Sequence, residues 1–461
     1  MKEENQRMKP GIEVIPGELP PFWDRSVVFF SNIHSIFYDN VEESKQLHRE
    51  ILGATTYGAR VMSILNLLYR REPNLIVLEG EPEASLMNYL SYGLGLTLPD
   101  HSVLEHSDYA RLPARLREEA PSPMEPTCHR LRRHPAPWLD GFVTDQTLIE
   151  LAGALGKKTV STLGGSRNGN NKFLLYQFKL EHRLPTFETL IASHRDELPE
   201  CLAALHRKGY TQAVVKAQIG ASGFGMVKLD PKSWRPEEVP HFMFFEGPCM
   251  VQGWLDEHIA GVERLGSPSV QLFLNDDTVF LFDLTEQILS AESVHQGNMS
   301  PPPYLQEHPA LEGELLRQAG MAGAWLHEQG YRGTASADFL VVLRGTTLEV
   351  ILCEINARVT GATYPAVLAR HFLPRGSWCM RNISFRKALA GGELLSLMER
   401  AEVLYAPGKA KGMLPFNFNT DAQGRVIKGQ FLCLGKDSGE CFDLLTHAWS
   451  ELPVEWGYDR D

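Results

Sequence analysis

Along this chain the apolar residues fall mostly into short runs of strand length, separated by polar, Gly- and Pro-marked breaks. After a polar, Pro-rich leader, Val27–Phe30 (VVFF) reads as a buried strand. Tyr57–Leu68 shows helical spacing, and Leu75–Leu78 (LIVL) is a second buried strand. Strand, helix, strand at this interval predicts an open α/β unit reaching to about residue 120. Glu79 and Glu81, at the end of the second run, are either crevice-facing or turn-exposed carboxylates. Residues 118–137 (EEAPSPMEPTCHRLRRHPAP) have the composition of a linker or surface excursion, with the basic cluster Arg130–His134 as a solvated face.

From Phe142 onward the pattern turns regular. An alternating stretch, 211–216, meets a glycine-rich turn, Gly220–Gly225, and resumes at Met226–Leu229, which predicts two strands joined by a glycine loop. Further strands are predicted at 249–255, 270–273, 279–284, 338–342 and 348–355, and a helix at 313–327. Beyond about residue 399 the pattern predicts a small α/β appendage with strands near 413–418 and 425–434. No internal repeat is evident.

Composition sets the class. The chain has 461 residues, of which 43% are apolar and 22% charged, a globular mixture long enough for two to four domains. The formal charge of −12, with basic residues scattered, argues against duplex binding by phosphate neutralisation. The seven cysteines include no C-x-x-C pair, which favours a reduced compartment over a disulfide framework. No apolar segment has the length of a membrane span, and the N-terminal stretch lacks the apolar core of a secretory signal. The expectation is a soluble cytoplasmic protein without nucleic-acid or membrane partners.

The sharpest chemical signal is the run ending in Glu354, Asn356 and Arg358. On a strand, Glu354 and Asn356 share a face. Asp338 lies in its own strand, connected through the turn Arg344-Gly345-Thr346-Thr347, so a hairpin sets it across from that face. Two carboxylates and an amide carbonyl form an all-oxygen set suited to magnesium shared with phosphates. The competing reading, solvent-exposed strand ends, is disfavoured because both carboxylates interrupt apolar runs, where an unpaired charge is costly. The second signal is Lys216 at the end of an apolar strand, followed by the Gly/Ser loop; a lysine preceding its loop excludes the P-loop pattern. His295 is either a general base or a surface or packing residue, and Cys353 alternates to the face opposite Glu354.

In this order, strand lysine, Gly/Ser loop, hinge strand 250–255, Asp338 and Glu354-x-Asn356, the chain resembles the ATP-grasp superfamily over roughly residues 142–375. With 267–271, the segment from Gln287-Ile288-Leu289 to Gly297 and Pro301, and 354–365, it looks like the pheganomycin-type peptide ligases over nearly its whole length. The fold class implied is α/β (α+β): an open α/β pre-ATP-grasp domain (1–140), a two-lobed ATP-grasp domain (141–390, with lobes at about 186–262 and 263–390) and a C-terminal domain (391–461). The resemblance implies ATP with two magnesium ions, manganese being able to substitute. Lys172 and Lys216 would then meet the nucleotide, and Gly220, Ser222, Gly223 and Gly225 would cover its phosphates. Val251, Gln252, Trp254 and Leu255 would form the adenine pocket, with Glu257 near the ribose. Asp338, Glu354 and Asn356 would hold the metal, and Arg358 would face the transferred phosphoryl group, with Lys216 and His295 as further catalytic candidates. Three departures stand out: Gln252 where a glutamate is common, Ser336 where D-alanine ligase-like members have an arginine two residues before the metal aspartate, and Val359 where a basic residue is often found. The activity implied is ADP-forming amide or peptide bond formation between a carboxylate and an amine through an acyl-phosphate, in specialised metabolism. The alternatives are transfer to a carrier-protein thiol or amine, and a non-catalytic nucleotide-binding protein. The partners implied are amino acids or peptides, a carrier protein and a second copy of the chain.

Overall fold

The computed structural model describes residues 9–40, 42–45, 57–118, 124–221, 223–255, 259, 261–289 and 295–455. Three sheets organise them. The first is a five-stranded parallel sheet ordered Asp100–Val103, Leu75–Leu78, Val27–Phe30, Trp138–Gly141, Lys158–Thr159. Its two central apolar strands are buried along their full length, as a parallel sheet covered on both faces requires. The sheet extends past residue 140, because the strand at Lys158–Thr159 is only two residues long and has no periodicity to read.

Two local expectations are corrected here. The linker expected over 118–137 contains a helix, Glu125–Arg133, with Pro126 tolerated in its first turn and Thr127, Cys128 and Leu131 buried on one face. Arg130 bridges back to Asp100 (3.0 Å) and donates to the His101 carbonyl. The helix expected over 57–68 is instead a 3-10 turn, Tyr57–Val61, and one short α-turn, Leu65–Leu68.

The second sheet is antiparallel, in the order Thr189–Ala192, Cys249–Gly253, Ala213–Lys216, Met226–Leu229. The third has ten strands. Pro268–Leu274 and Thr278–Leu289 lie near its centre, the hairpin Gly333–Arg344 and Thr347–Asn356 on one side, and Ser377–Leu389, Val426–Gly435 and Gly412–Thr420 on the other. The C-terminal strands therefore continue this sheet rather than forming an appendage of their own: Ser377–Leu389 pairs with Val426–Gly435 over most of its length. The helix expected over 313–327 is present as Ala310–Glu328, packed on the ten-stranded sheet. No helix among the described residues is long and apolar enough to cross a membrane.

Glu286, on Thr278–Leu289, accepts from the Ser267 amide (2.6 Å) and pairs with the Tyr304 hydroxyl (2.7 Å). Burial pushes its carboxyl from 4.5 up to about 7. A carboxyl that keeps its proton longer when folded makes stability fall as pH rises, here from about 4.5 to 7, with a plateau above. Glu286→Gln keeps a neutral side chain whose amide oxygen can still accept a hydrogen bond at this site, so its melting temperature is expected to vary less across that window and to exceed wild type above pH 7. Thermal melts at stepped pH check this, and parallel profiles for the two proteins would count against it.

Candidate functional site

The hairpin between Gly333–Arg344 and Thr347–Asn356 is in the register that pairs Asp338 with Glu354 and Ser336 with Asn356. Asp338 lies among donors: Ser269 Oγ at 2.7 Å and Ser336 Oγ at 3.1 Å on one oxygen, Asn356 Nδ2 at 2.8 Å on the other. Burial first, and the neighbouring Glu354 charge second, push its carboxyl up to about 6. Burial works the same way on Glu354, but Lys172, Arg358 and Lys216 together outweigh it and hold that carboxyl below its ordinary range. Lys172 Nζ sits 2.9 Å from Glu354 Oε2 and donates to the Gly220 carbonyl at 2.8 Å. Arg358 donates to Asn356 Oδ1 and, at 3.3 Å, to Asn170 Oδ1.

Lys172 opens the helix Lys172–Glu181, whose N-cap Asn171 accepts from the amides of Phe173 and Leu174. Seven residues on, two turns along the same face, lies Lys179. Lys172, Lys179 and Lys216 line one cavity with Tyr176, Met250, Gln252 and Cys353. Lys179 donates to the Leu352 carbonyl, and burial lowers its pKa to about 8. Burial also lowers that of Lys216, whose ammonium lies 5.5 Å from the Phe187 ring centre.

Cys353 is a correction to the strand-alternation argument. The hairpin register slips between Asp338 and Phe339, leaving Cys353 as the unpaired extra residue of a β-bulge. The bulge re-aims the thiol, which lines the lysine cavity instead of the opposite face; burial still keeps it protonated, with a pKa of about 11.

On Cys249–Gly253, alternation sends Met250 and Gln252 to the cavity, and Gln252 donates to Thr189 Oγ1 at 3.1 Å. Val251 points the other way, into the core of the four-stranded sheet's lobe. Leu255 packs with Val262, Leu340 and Ile351, while Trp254 stacks under the Lys228 ammonium. Gly220, Gly223 and Gly225 form the expected loop. Gly223 and Gly225 have φ of +87° and +71°, and a Cβ on Gly220 would meet the Phe224 carbonyl at 2.5 Å. Ser222 and Glu257 lie outside the described residues, as does part of the 290–306 loop. His295 is apart from the carboxylates but flanks the loop after Arg358: a Cβ on Gly361 would lie 3.5 Å from its ring. It pairs with Asn298 Oδ1 at 2.8 Å and lies exposed at the head of the strand His295–Ser300.

Sequence reasoning missed Lys179, Met250 and Tyr176. The seven-residue interval from Lys172 to Lys179 was the available signal for the first.

The donor set fits magnesium held jointly with phosphates. Among the described residues no three His, Cys, Asp or Glu side chains converge, so the protein alone offers two carboxylates and an amide oxygen. A cation there would relieve the mutual repulsion of Asp338 and Glu354.

The chain has the ATP-grasp fold. Among solved structures it resembles biotin carboxylase from Campylobacter jejuni in complex with β,γ-ATP, with a TM-score of 0.58 and 12% identity over 94% of this chain and 92% of that one. It also resembles N5-carboxyaminoimidazole ribonucleotide synthetase from Thermus thermophilus, with a TM-score of 0.55 and 12% identity over 94% of this chain and 100% of that one. A curated relative, the butirosin acyl-carrier protein–L-glutamate ligase of Niallia circulans, is 26% identical over 235 residues, 48% of this chain and 51% of that protein. The match thus spans about half the length of that relative. No family model matches the chain.

Proposed function

We propose that this protein is an ATP- and magnesium-dependent ligase that activates a carboxylate as an acyl-phosphate and joins it to an amine, releasing ADP and phosphate. The observation that carries the reading is the convergence of Asp338, Glu354 and Asn356 with Lys172, Lys216 and Arg358 beside the glycine loop. Magnesium, when bound, would supply charge neutralisation for the phosphates. Asp338, Glu354 and Asn356 would hold it, and Lys172 and Lys216 would meet the nucleotide phosphates.

The chemistry needs no protein nucleophile. A substrate carboxylate oxygen attacks the γ-phosphorus as the bond to ADP breaks. An amine then attacks the acyl carbon, phosphate leaves and the amine loses a proton. Arg358 faces the charge in transfer, and the cationic surroundings supply electrostatic stabilisation. The glycine loop would exclude water that would otherwise hydrolyse the acyl-phosphate. His295, beside the Arg358 loop, would take the amine proton.

A second reading is favoured by the curated relative, which is named as acting on an acyl-carrier protein and L-glutamate: the acceptor here would be a carrier protein rather than a free amine.

ADP and phosphate release is to be measured with magnesium and ATP over a panel of amino acids, singly and in pairs, with product masses. The expected result is release that requires a carboxylate–amine pair and a product lighter than their sum by one water. Release only with carrier protein present would select the second reading, and failure of the protein to bind magnesium–ATP would sink both.

A further inference from the structure

The cavity lined by the three lysines has two unlike ends. At one, Lys172 Nζ meets Glu354 Oε2 (2.9 Å) and the Gly220 carbonyl (2.8 Å), beside the carboxylates and the glycine loop. Lys179 marks the other, two helical turns on and about 10 Å along the axis. Its ammonium is turned to the Leu352 carbonyl and lies 5.7 Å from the Phe187 ring centre. There the lining includes Leu175, Met250 and Gln252, two apolar side chains and one neutral amide. A nucleotide with its phosphates at the charged end sets its base against this second end, where Gln252 meets the base edge.

Which atom of that amide faces the base is decided by its neighbour on the adjoining strand. Gln252 and Thr189 are register partners on the antiparallel strands Cys249–Gly253 and Thr189–Ala192, so their side chains share a face. Thr189 Oγ1 donates to the Phe187 carbonyl at 2.9 Å. A hydroxyl has one hydrogen and a carbonyl only accepts, so toward Gln252 the same oxygen can only accept. The amide accordingly presents nitrogen to it, Nε2 to Oγ1 at 3.1 Å, and Oε1 is left for the cavity. That oxygen has no donor among the described residues and is not sealed from solvent. Turning the amide over would set Oε1 against the hydroxyl oxygen and take the donor from the Phe187 carbonyl.

We infer that Thr189 is a positioning residue for nucleobase selection: by fixing the Gln252 amide it makes the pocket accept a 6-amino purine and reject a 6-oxo purine. The inference rests on the ligase reading in taking this cavity as the nucleotide site. A 6-amino group donates to Oε1, whereas a 6-oxo group would bring two acceptors together with no hydrogen between them. A carboxylate at residue 252 accepts whichever way it turns and needs no such neighbour. A glutamine does need one, because an amide free to rotate donates as readily as it accepts and takes either purine. Thr189 thereby restores to Gln252 the selectivity that a glutamate would have on its own.

The test is calorimetric binding of adenosine and inosine diphosphates, each with magnesium, to the full chain. Inosine carries oxygen in place of the 6-amino group, and wild type is expected to bind the adenosine form at least about tenfold tighter, the order expected for one acceptor left facing another. Thr189→Val keeps the branched shape without the hydroxyl, and the adenosine-to-inosine ratio should fall about fivefold or more. Thr189→Ser should keep the ratio. Adding Gln252→Glu to Thr189→Val should restore it, the carboxylate lying in the cavity of Lys179 and Lys216. Thr189→Ala repeats the comparison should valine disturb the strand, with folding read by circular dichroism. No adenosine preference in wild type, both nucleotides weakened equally by Thr189→Val, or a lost ratio that Gln252→Glu does not restore, each overturns the inference and leaves the ligase reading standing. Failure of the wild-type chain to bind either nucleotide overturns the ligase reading itself.

Discussion

Glu354→Gln is expected to lower magnesium- and ATP-dependent turnover by at least about a hundredfold, the order seen when one charge-stabilising group is removed from a preorganised site. Glutamine preserves the volume and can still accept from Lys172, whose ammonium now lies 2.9 Å from the carboxylate. What it removes is charge. Lys172, Arg358 and Lys216 favour an ionised Glu354 despite burial, and that ionised oxygen is the donor a hard cation needs. The fold should tolerate the change, because the substitution also removes the like charge that, after burial, raises the Asp338 carboxyl. Two measurements separate these effects. Initial rates of ADP release report turnover, and the melting-temperature increase caused by magnesium–ATP reports binding to the folded state. Turnover and a thermal shift both retained at wild-type level would remove Glu354 from the site.

Much of this site was legible because a strand has period two. Glu354 and Asn356 share a face by spacing alone, and the short connection from Asp338 made a hairpin the economical reading. What spacing does not contain is a register slip. One extra residue at Cys353 reverses the alternation argument, and only the pairing of Asp338 with Glu354 followed by Phe339 with Leu352 reveals it. Val251 shows a related limit: the hinge segment is recognisable, but which of its side chains enters the lobe's core depends on the sheet packed against it. Residues 125–133 misled for a different reason. Pro and Arg read as breakers and solvated charge, whereas Pro126 occupies a first helical turn and the three buried positions of that helix carry the packing.

Arg370→Leu is expected to destabilise the protein by about 3–5 kcal/mol, the cost of leaving a buried charge without its partner. Asp283 and Arg370 have side chains only 2% and 4% exposed, and the pair is bidentate, at 3.0 and 2.7 Å. Trp378 Nε1 (3.0 Å) and Ser300 Oγ (2.7 Å) complete the shell around the carboxylate, and Arg370 also donates to Ser300 Oγ and to the Gly376 carbonyl. The network ties the helix Thr363–Phe372 to three strands, and that helix begins five residues after Arg358. Losing the guanidinium therefore strands Asp283 and loosens the element that anchors the loop carrying Arg358. Double substitution, Asp283→Leu with Arg370→Leu, removes both charges and should recover part of the lost stability, because the penalty lies in the unpaired ion more than in the absent pair. Denaturant unfolding of the single and double variants measures both quantities. Equal stability of wild type and Arg370→Leu would show that Asp283 is compensated by Trp378 and Ser300 alone. A double variant less stable than either single one would instead give the pair a net favourable contribution beyond cancelling its own desolvation.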